Sequence, residues 1–102
     1  MKVASLKVQK KWIPKDFRID EEFGCQTCAE QLEASNPNLT FQIGRTRIGK
    51  DKWGDHAWCT NPYGDIIDPY FQWRFPNEWN RIEYVIDHTV FDGLYEMEGV
   101  FA

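Results

Sequence analysis

The turn Asn61-Pro62-Tyr63-Gly64 constrains the fold more than any other part of the chain. Asn first, Pro second and Gly fourth are the preferences of a type I turn whose glycine is left-handed, which makes a three-residue hairpin loop with a bulge. That loop pairs the first turn residue with Asp65 and sets Trp58 opposite Asp68. His56 then lies on the same face as Asp68 and diagonal to it. Diagonal neighbours are about 7–8 Å apart at the backbone, so an imidazole–carboxylate hydrogen bond is within reach.

A different turn would destroy this pairing. A two-residue turn at Pro62-Tyr63 would place Asp68 opposite Ala57 and turn the carboxylate to the other face, because a one-residue slip inverts every side chain. The residue preferences favour the longer loop. We therefore predict that His56 and Asp68 meet on one face of the hairpin.

A short helix is predicted ahead of this hairpin. Cys25, Cys28, Ala29 and Leu32 recur at helical spacing and form one apolar stripe, and Asn36-Pro37 stops the pattern. Cys25 thus falls in the first turn of a helix of about ten residues, where backbone N–H groups lack helical partners. Such donors stabilise a thiolate and an oxyanion, so Cys25 is a better nucleophile than Cys28, which lies one turn deeper.

The remaining segments give a coarser prediction. Residues 39–43 and 82–86 alternate between apolar and polar side chains, which is typical of half-buried strands. Residues 3–13 resemble an irregular or edge strand ended by a proline, and residues 70–79 form an aromatic-rich segment broken by Pro76. One helix followed by several strands predicts an α+β fold, with the helix carrying the cysteine packed on a small antiparallel sheet. At 102 residues we expect a single domain spanning residues 1–102.

Charge and cysteine content narrow the functional classes. The net charge of −4 argues against a general nucleic-acid binder. The first 18 residues carry about +5, which is typical of a solvated face and also compatible with an acidic partner. Three cysteines cannot all pair within the chain, so free thiols and a cytoplasmic location are expected. No signal-peptide pattern or long apolar run is visible, and we expect no membrane partner.

The chemistry-bearing residues form a recognisable set. A thiol, an imidazole and a carboxylate follow one another in the chain as Cys25, His56 and Asp68. In such a set the histidine activates the thiol and the acid orients the histidine, as nucleophilic acyl transfer requires. His88, beside Asp87, is expected to be a surface residue, and Asp65 is a weaker candidate orienter because it lies beside the turn.

These residues resemble the papain-like/transglutaminase-like superfamily of cysteine hydrolases. The resemblance rests on a helix motif Cys25…Ala29, then His56-Ala57-Trp58 on a strand and Asp68-Pro69-Tyr70 after the next strand. A longer run, from Asn36 to Pro69, is similar to short uncharacterised proteins of bacteriophages and bacteria. Tyr70 stands where Thr is usual, and no catalytic group is replaced.

The resemblance implies a function as well as a fold. Cys25 would be the nucleophile, His56 the general base and acid, and Asp68 the orienter of an amide or ester hydrolase, deamidase or transamidase. It implies a protein or peptide substrate and no cofactor or metal. A phage origin would place the protein, and a host protein as its substrate, in the host cytoplasm. The sequence leaves the oligomeric state open.

Two alternatives remain open at this stage. A structural zinc site would use two C-x2-C-like pairs, Cys25 with Cys28 and His56 with Cys59. Against it, His56 and Cys59 are three apart on a predicted strand and face opposite sides. The second alternative is a catalytically inactive protein-binding module of the same fold, in which the cysteines are small core residues.

Overall fold

A computed structural model describes residues 3, 5–19, 22 and 24–90 of the chain. Within these residues, four antiparallel strands form one sheet in the order β3-β2-β1-β4, accompanied by three α-helices. In chain order the elements are α1 (Leu6–Trp12), α2 (Cys25–Ser35), β1 (Thr40–Ile48), β2 (Gly54–Thr60), β3 (Ile66–Ile67), α3 (Pro69–Arg74) and β4 (Ile82–Ile86). Short 3₁₀ turns flank β4 at Trp79–Arg81 and His88–Val90.

The α+β prediction is confirmed, with helix α2 packed against the sheet. The predicted apolar stripe of α2 is buried along its whole length, at Cys25, Cys28, Ala29 and Leu32. The helix ends as expected, because Asn36 takes an extended conformation before Pro37 and its N–H bonds back to Glu33. This stripe anchors the start of α2 in the core, and the start of the helix carries Cys25.

The hairpin adopts the predicted register. Cys59 pairs with Ile67, and the Asn61 N–H donates to the Asp65 carbonyl at 3.1 Å. Gly64 has a φ of +82°, the left-handed conformation that the turn requires and that glycine adopts without strain. Asn61 Oδ1 also accepts from the N–H groups of Tyr63 and Asp65, which closes the turn. The register places the residue after β3, Asp68, opposite Trp58.

The predicted strand over residues 3–13 is wrong, because most of this segment is helix α1. Ser5 caps the helix by accepting from the Val8 N–H at 3.3 Å. The buried residue of α1 is Gln9, whereas Leu6 is exposed. The helix therefore lacks the apolar stripe from which its helical period could be predicted. Val3 alone behaves as a strand residue, in an isolated parallel bridge to Ile66.

The aromatic segment after the hairpin contains helix α3, which was not predicted. Asp68 caps it by accepting from the Phe71 N–H, and Pro69 occupies the first turn of the helix, where it costs no hydrogen bond. Tyr70 and Phe71 are buried, and Trp73 is exposed. The pair Asp68-Pro69 therefore directly follows strand β3 and also begins helix α3.

Strand β1 lies between β2 and β4, and Gly44 allows the close fit. Gly44 pairs with His56 on one side and Ile86 on the other. A Cβ atom there would collide with the Val85 carbonyl oxygen and would lie 2.8 Å from Cη2 of Trp58. Glycine at this position leaves room for the Trp58 ring beside His56.

The basic N-terminal segment is exposed, as predicted for a solvated face, although it is helical at its centre. The exposed cations are Lys7, Lys10, Lys11, Lys15 and Arg18, and Lys2 lies outside the described residues. Within the described residues no helix is long and apolar enough to cross a membrane.

Candidate active site

Asp68 is held at the junction of β3 and α3 by bonds to both its backbone and its side chain. Its Oδ1 accepts from the Phe71 N–H at 3.2 Å as the cap of α3. Its own N–H donates to Oε1 of the buried Gln9 at 3.2 Å, so helix α1 supports the same junction. Gln72 also donates to that Gln9 oxygen. The second carboxylate oxygen, Oδ2, is left to point at β2.

His56 meets Asp68 as the hairpin register predicts. The His56 Nε2 atom lies 2.8 Å from Asp68 Oδ2, and the two side chains are 0% and 3% exposed. A charge-assisted hydrogen bond at this distance, shielded from water, sets the direction of the ring. The imidazole therefore presents its other nitrogen, Nδ1, away from Asp68.

Tyr84 is a fourth member of the site that was not identified from the sequence. It projects from β4, is 2% exposed, and donates its hydroxyl to Asp68 Oδ2 at 2.6 Å. The signal was present in the alternation of Ile82, Tyr84 and Ile86, because a tyrosine on a buried strand face needs a hydrogen-bond partner. Nothing in the sequence identified Asp68 as that partner.

Aromatic rings hold the His56 imidazole in one plane. The Phe71 ring stacks on it with centroids 3.6 Å apart and planes 8° apart, and the Trp58 ring stacks at 5.9 Å and 19°. Tyr70 and Tyr84 lie farther out, each with its ring centroid 6.3 Å from the imidazole. The ring has little freedom to rotate away from the direction that Asp68 imposes.

Cys25 is close enough to this imidazole to interact with it. It is the first residue of α2, is 0% exposed, and follows Gly24, which provides no side-chain cap for the helix. The Cys25 thiol interacts with the His56 ring and favours its charged form. Because Nε2 is bound to Asp68, we infer that Nδ1 faces the sulfur. That Nδ1 is buried and makes no ordinary hydrogen bond to a described residue.

The pKa of His56 is raised from 6.5 to about 9. Burial is the largest single influence and lowers the pKa, since it disfavours a charge. The negative charge of Asp68, the hydrogen bond to it and the contact with Cys25 act in the opposite direction and together outweigh burial. At neutral pH this pKa favours the imidazolium form of the ring, which is bonded to Asp68 and interacts with Cys25.

The other two thiols are in environments that keep them protonated. Burial raises the pKa of Cys28 and of Cys59 to about 12, with nearby negative charges adding to it. Cys59 Sγ donates to the Ala29 carbonyl at 3.2 Å. All three cysteines are free. Protonated thiols are poor nucleophiles, so neither Cys28 nor Cys59 is in an environment suited to nucleophilic attack.

The four residues of the zinc hypothesis do not converge on one point. Among the described residues, no group of three or more His, Cys, Asp or Glu side chains could hold a metal ion. The His56 imidazole is hydrogen-bonded to Asp68, and the Cys59 thiol donates a hydrogen bond to the Ala29 carbonyl. The pairs Cys25 with Cys28 and His56 with Cys59 therefore do not make a tetrahedral site.

Two further sequence expectations concern the neighbouring polar residues. His88 is exposed and lies 3.4 Å from Gln42 Oε1, away from the carboxylate. Asp65 accepts from Asn61 Nδ2 at 2.9 Å and belongs to the turn. The structure thus brings His56 to Asp68, and leaves Asp65 and His88 outside the site.

We expect the free energy of unfolding to fall as the pH rises from about 6.5 to about 9. The folded-state pKa of His56 is the higher one, so its contribution is fully present below 6.5 and is lost as pH passes through 9. Urea titrations across this range would measure it. The His88→Ala variant should keep the slope, whereas a flat profile in the native protein would contradict the elevated pKa.

Comparisons of the chain with protein families, curated proteins and solved structures found no match.

Proposed function

We propose that this chain is a cysteine-dependent acyl-transfer enzyme with a small papain-like/transglutaminase-like core. Cys25 is the nucleophile, His56 the general base and acid, and Asp68 the orienter. The observation that carries the proposal is the buried His56–Asp68 hydrogen bond of 2.8 Å, made by an imidazole that also interacts with the thiol at the start of α2. Three groups in these relative positions meet the requirements of thiol catalysis.

The proposed reaction starts from an ion pair in which the proton of the Cys25 thiol already resides on His56, so that the ring is an imidazolium and the sulfur is charged. The sulfur then attacks the carbonyl carbon of an amide or ester, and the carbonyl electrons move onto oxygen. Backbone N–H groups in the first turn of α2 stabilise this oxyanion. Collapse of the intermediate forms a thioester and breaks the bond to the amine or alcohol, which takes the proton from His56 as it leaves.

The second half returns the enzyme to its starting state. His56 takes a proton from water or from an acceptor amine, which attacks the thioester carbonyl. The acyl group leaves as a carboxylic acid or a new amide, and the Cys25 sulfur is released as an anion beside the protonated His56. The imidazolium, with its pKa of about 9, holds the proton that the first leaving group needs at neutral pH.

The proposed substrate is a protein or peptide, and the proposed setting is the cytoplasm, or the host cytoplasm for a phage protein. The substrate class is what the resemblance implies. Support for a reducing setting comes from the three free thiols, Cys25, Cys28 and Cys59.

A covalent thioester on Cys25 is the expected product when the protein meets a small active ester such as 4-nitrophenyl acetate. Intact-mass and peptide mass spectrometry would locate the acyl group, and nitrophenolate release would show a burst. Cys28→Ala and Cys59→Ala are matched controls that should acylate normally, while Cys25→Ala should not. Acylation lost in Cys28→Ala and retained in Cys25→Ala would mean that the wrong thiol has been chosen.

A second function is favoured by the complete burial of the site. Cys25 and His56 are both 0% exposed, and Phe71 covers one face of the imidazole. A catalytically inactive binding module of the same fold would show this enclosure, with the His56–Asp68 pair as a satisfied polar pair in the core. If Cys25 reacts with iodoacetamide only after unfolding, while free cysteine reacts at once, the enzyme loses most of its support and the inactive binding module is favoured.

A further inference from the structure

One carboxylate oxygen in the site accepts two hydrogen bonds. Asp68 Oδ2 lies 2.8 Å from His56 Nε2 and 2.6 Å from the Tyr84 hydroxyl. The donors come from different strands, β2 and β4, which lie on opposite sides of β1. His56, Asp68 and Tyr84 are all buried, so no bulk water competes for this oxygen.

The remaining bonds of Asp68 leave its side chain little freedom. Oδ1 accepts from the Phe71 N–H, and the backbone N–H is held by Gln9. Rotation of the carboxylate would break bonds at both oxygens together. The Tyr84 hydroxyl therefore holds Asp68 Oδ2 in place as the hydrogen-bond acceptor of His56. By donating to the same oxygen, it also weakens the stabilisation that the Asp68 charge gives to the imidazolium.

We propose that Tyr84 is a positioning residue of the reaction. Its hydroxyl holds the carboxylate of Asp68 in place and reduces the stabilisation that this carboxylate gives to the protonated form of His56. This inference rests on the proposed function for its consequence in catalysis. Its physical part, the coupling of a phenol to an imidazole through one oxygen, holds for the folded protein whether or not it is an enzyme.

The titratable groups that face His56 come from three elements. They are Cys25 from α2, Asp68 and Tyr70 at α3, and Tyr84 from β4. Burial, together with the neighbouring Asp68 charge, raises the pKa of Tyr84 well above 10. The hydroxyl thus keeps its proton wherever His56 titrates, and it acts as a hydrogen-bond donor throughout.

The direction of the effect follows from the shared oxygen. Removing the hydroxyl leaves the full carboxylate charge to His56, which favours the imidazolium. The titration midpoint of His56 should then rise, and the ring should release its proton to the leaving group less readily. The pH profile of thioester formation should move to higher pH with it.

The test compares Tyr84→Phe with Tyr70→Phe. Both rings lie 6.3 Å from the imidazole, but the Tyr70 hydroxyl interacts with Arg74 and not with Asp68. Ring NMR signals of His56 would give its titration midpoint. We expect a rise of roughly one pH unit in Tyr84→Phe, and no change in Tyr70→Phe.

The outcomes separate this inference from the proposed function. An unchanged His56 midpoint in a folded Tyr84→Phe variant, even one of lower stability, would give Tyr84 a structural role only and overturn the inference. A raised midpoint in a protein that never forms a thioester would support the coupling and reject the enzyme.

A second measurement covers the case in which Tyr84→Phe does not fold. Incorporating 3-fluorotyrosine in the Tyr70→Phe background makes the phenol at residue 84 a stronger donor with little change in shape. The His56 midpoint should then fall below that of the unfluorinated Tyr70→Phe protein. A midpoint that stays in place or rises would overturn the inference.

Discussion

Replacing His56 with alanine should slow acylation of Cys25 by roughly 10²–10⁴-fold, the usual contribution of a general base and acid. Under the proposed mechanism, the variant loses both the group that takes the thiol proton and the group that protonates the leaving amine or alcohol. Asp68 keeps its bonds to Tyr84 and to the start of α3, so the carboxylate remains partly satisfied. Nitrophenolate release and intact mass, measured over a range of pH, would quantify the loss.

The control for this prediction is the chain's other histidine. His88→Ala removes an exposed imidazole that does not contact Asp68, and its acylation rate should equal that of the native protein. Equal rates for His56→Ala and the native protein would show that any reaction at Cys25 is ordinary thiol chemistry. The triad would then have no catalytic role.

Replacing Asp68 with alanine should destabilise the folded protein by about 3–5 kcal/mol, the usual result of removing one partner from a buried ion pair. Three donors converge on this carboxylate, from His56, Tyr84 and the Phe71 N–H, and each would be left unpaired in the core. Urea denaturation below pH 6.5 would measure the loss, with acylation of Cys25 nearly abolished where the variant still folds.

Two further variants make this prediction specific. Asp65→Ala removes a carboxylate of the same hairpin that bonds only to the turn, so it should cost far less stability. Asp68→Asn keeps the shape of the side chain and one oxygen but carries no charge. It should recover part of the stability and little of the activity. Equal losses for Asp65→Ala and Asp68→Ala would contradict the role of Asp68 as the centre of the network.

Local sequence rules were sufficient for much of the fold. The stripe beginning at Cys25 defined helix α2, and the turn Asn61-Pro62-Tyr63-Gly64 defined the hairpin register. The register in turn placed His56 within reach of Asp68, as the 2.8 Å contact confirms. These predictions succeeded because side-chain period and turn geometry are set by neighbours in the chain.

Helices α1 and α3 were missed for reasons that are also physical. The inner face of α1 buries a glutamine, whose amide oxygen accepts from the backbone N–H of Asp68, 59 residues away in the chain. Helix α3 has six residues, too few for a clear helical period, and the aromatic residues within it also suit a strand. In both segments long-range contacts outweighed the local pattern.

The amino-acid sequence alone determined the elements that carry Cys25, His56 and Asp68, and the register that pairs the last two. Only the tertiary structure decided that Tyr84 shares the carboxylate, that Phe71 stacks on the imidazole, and that the site is closed to solvent. The first set depends on backbone geometry over a few residues. The second depends on how remote strands and helices pack into one core, which no local spacing specifies.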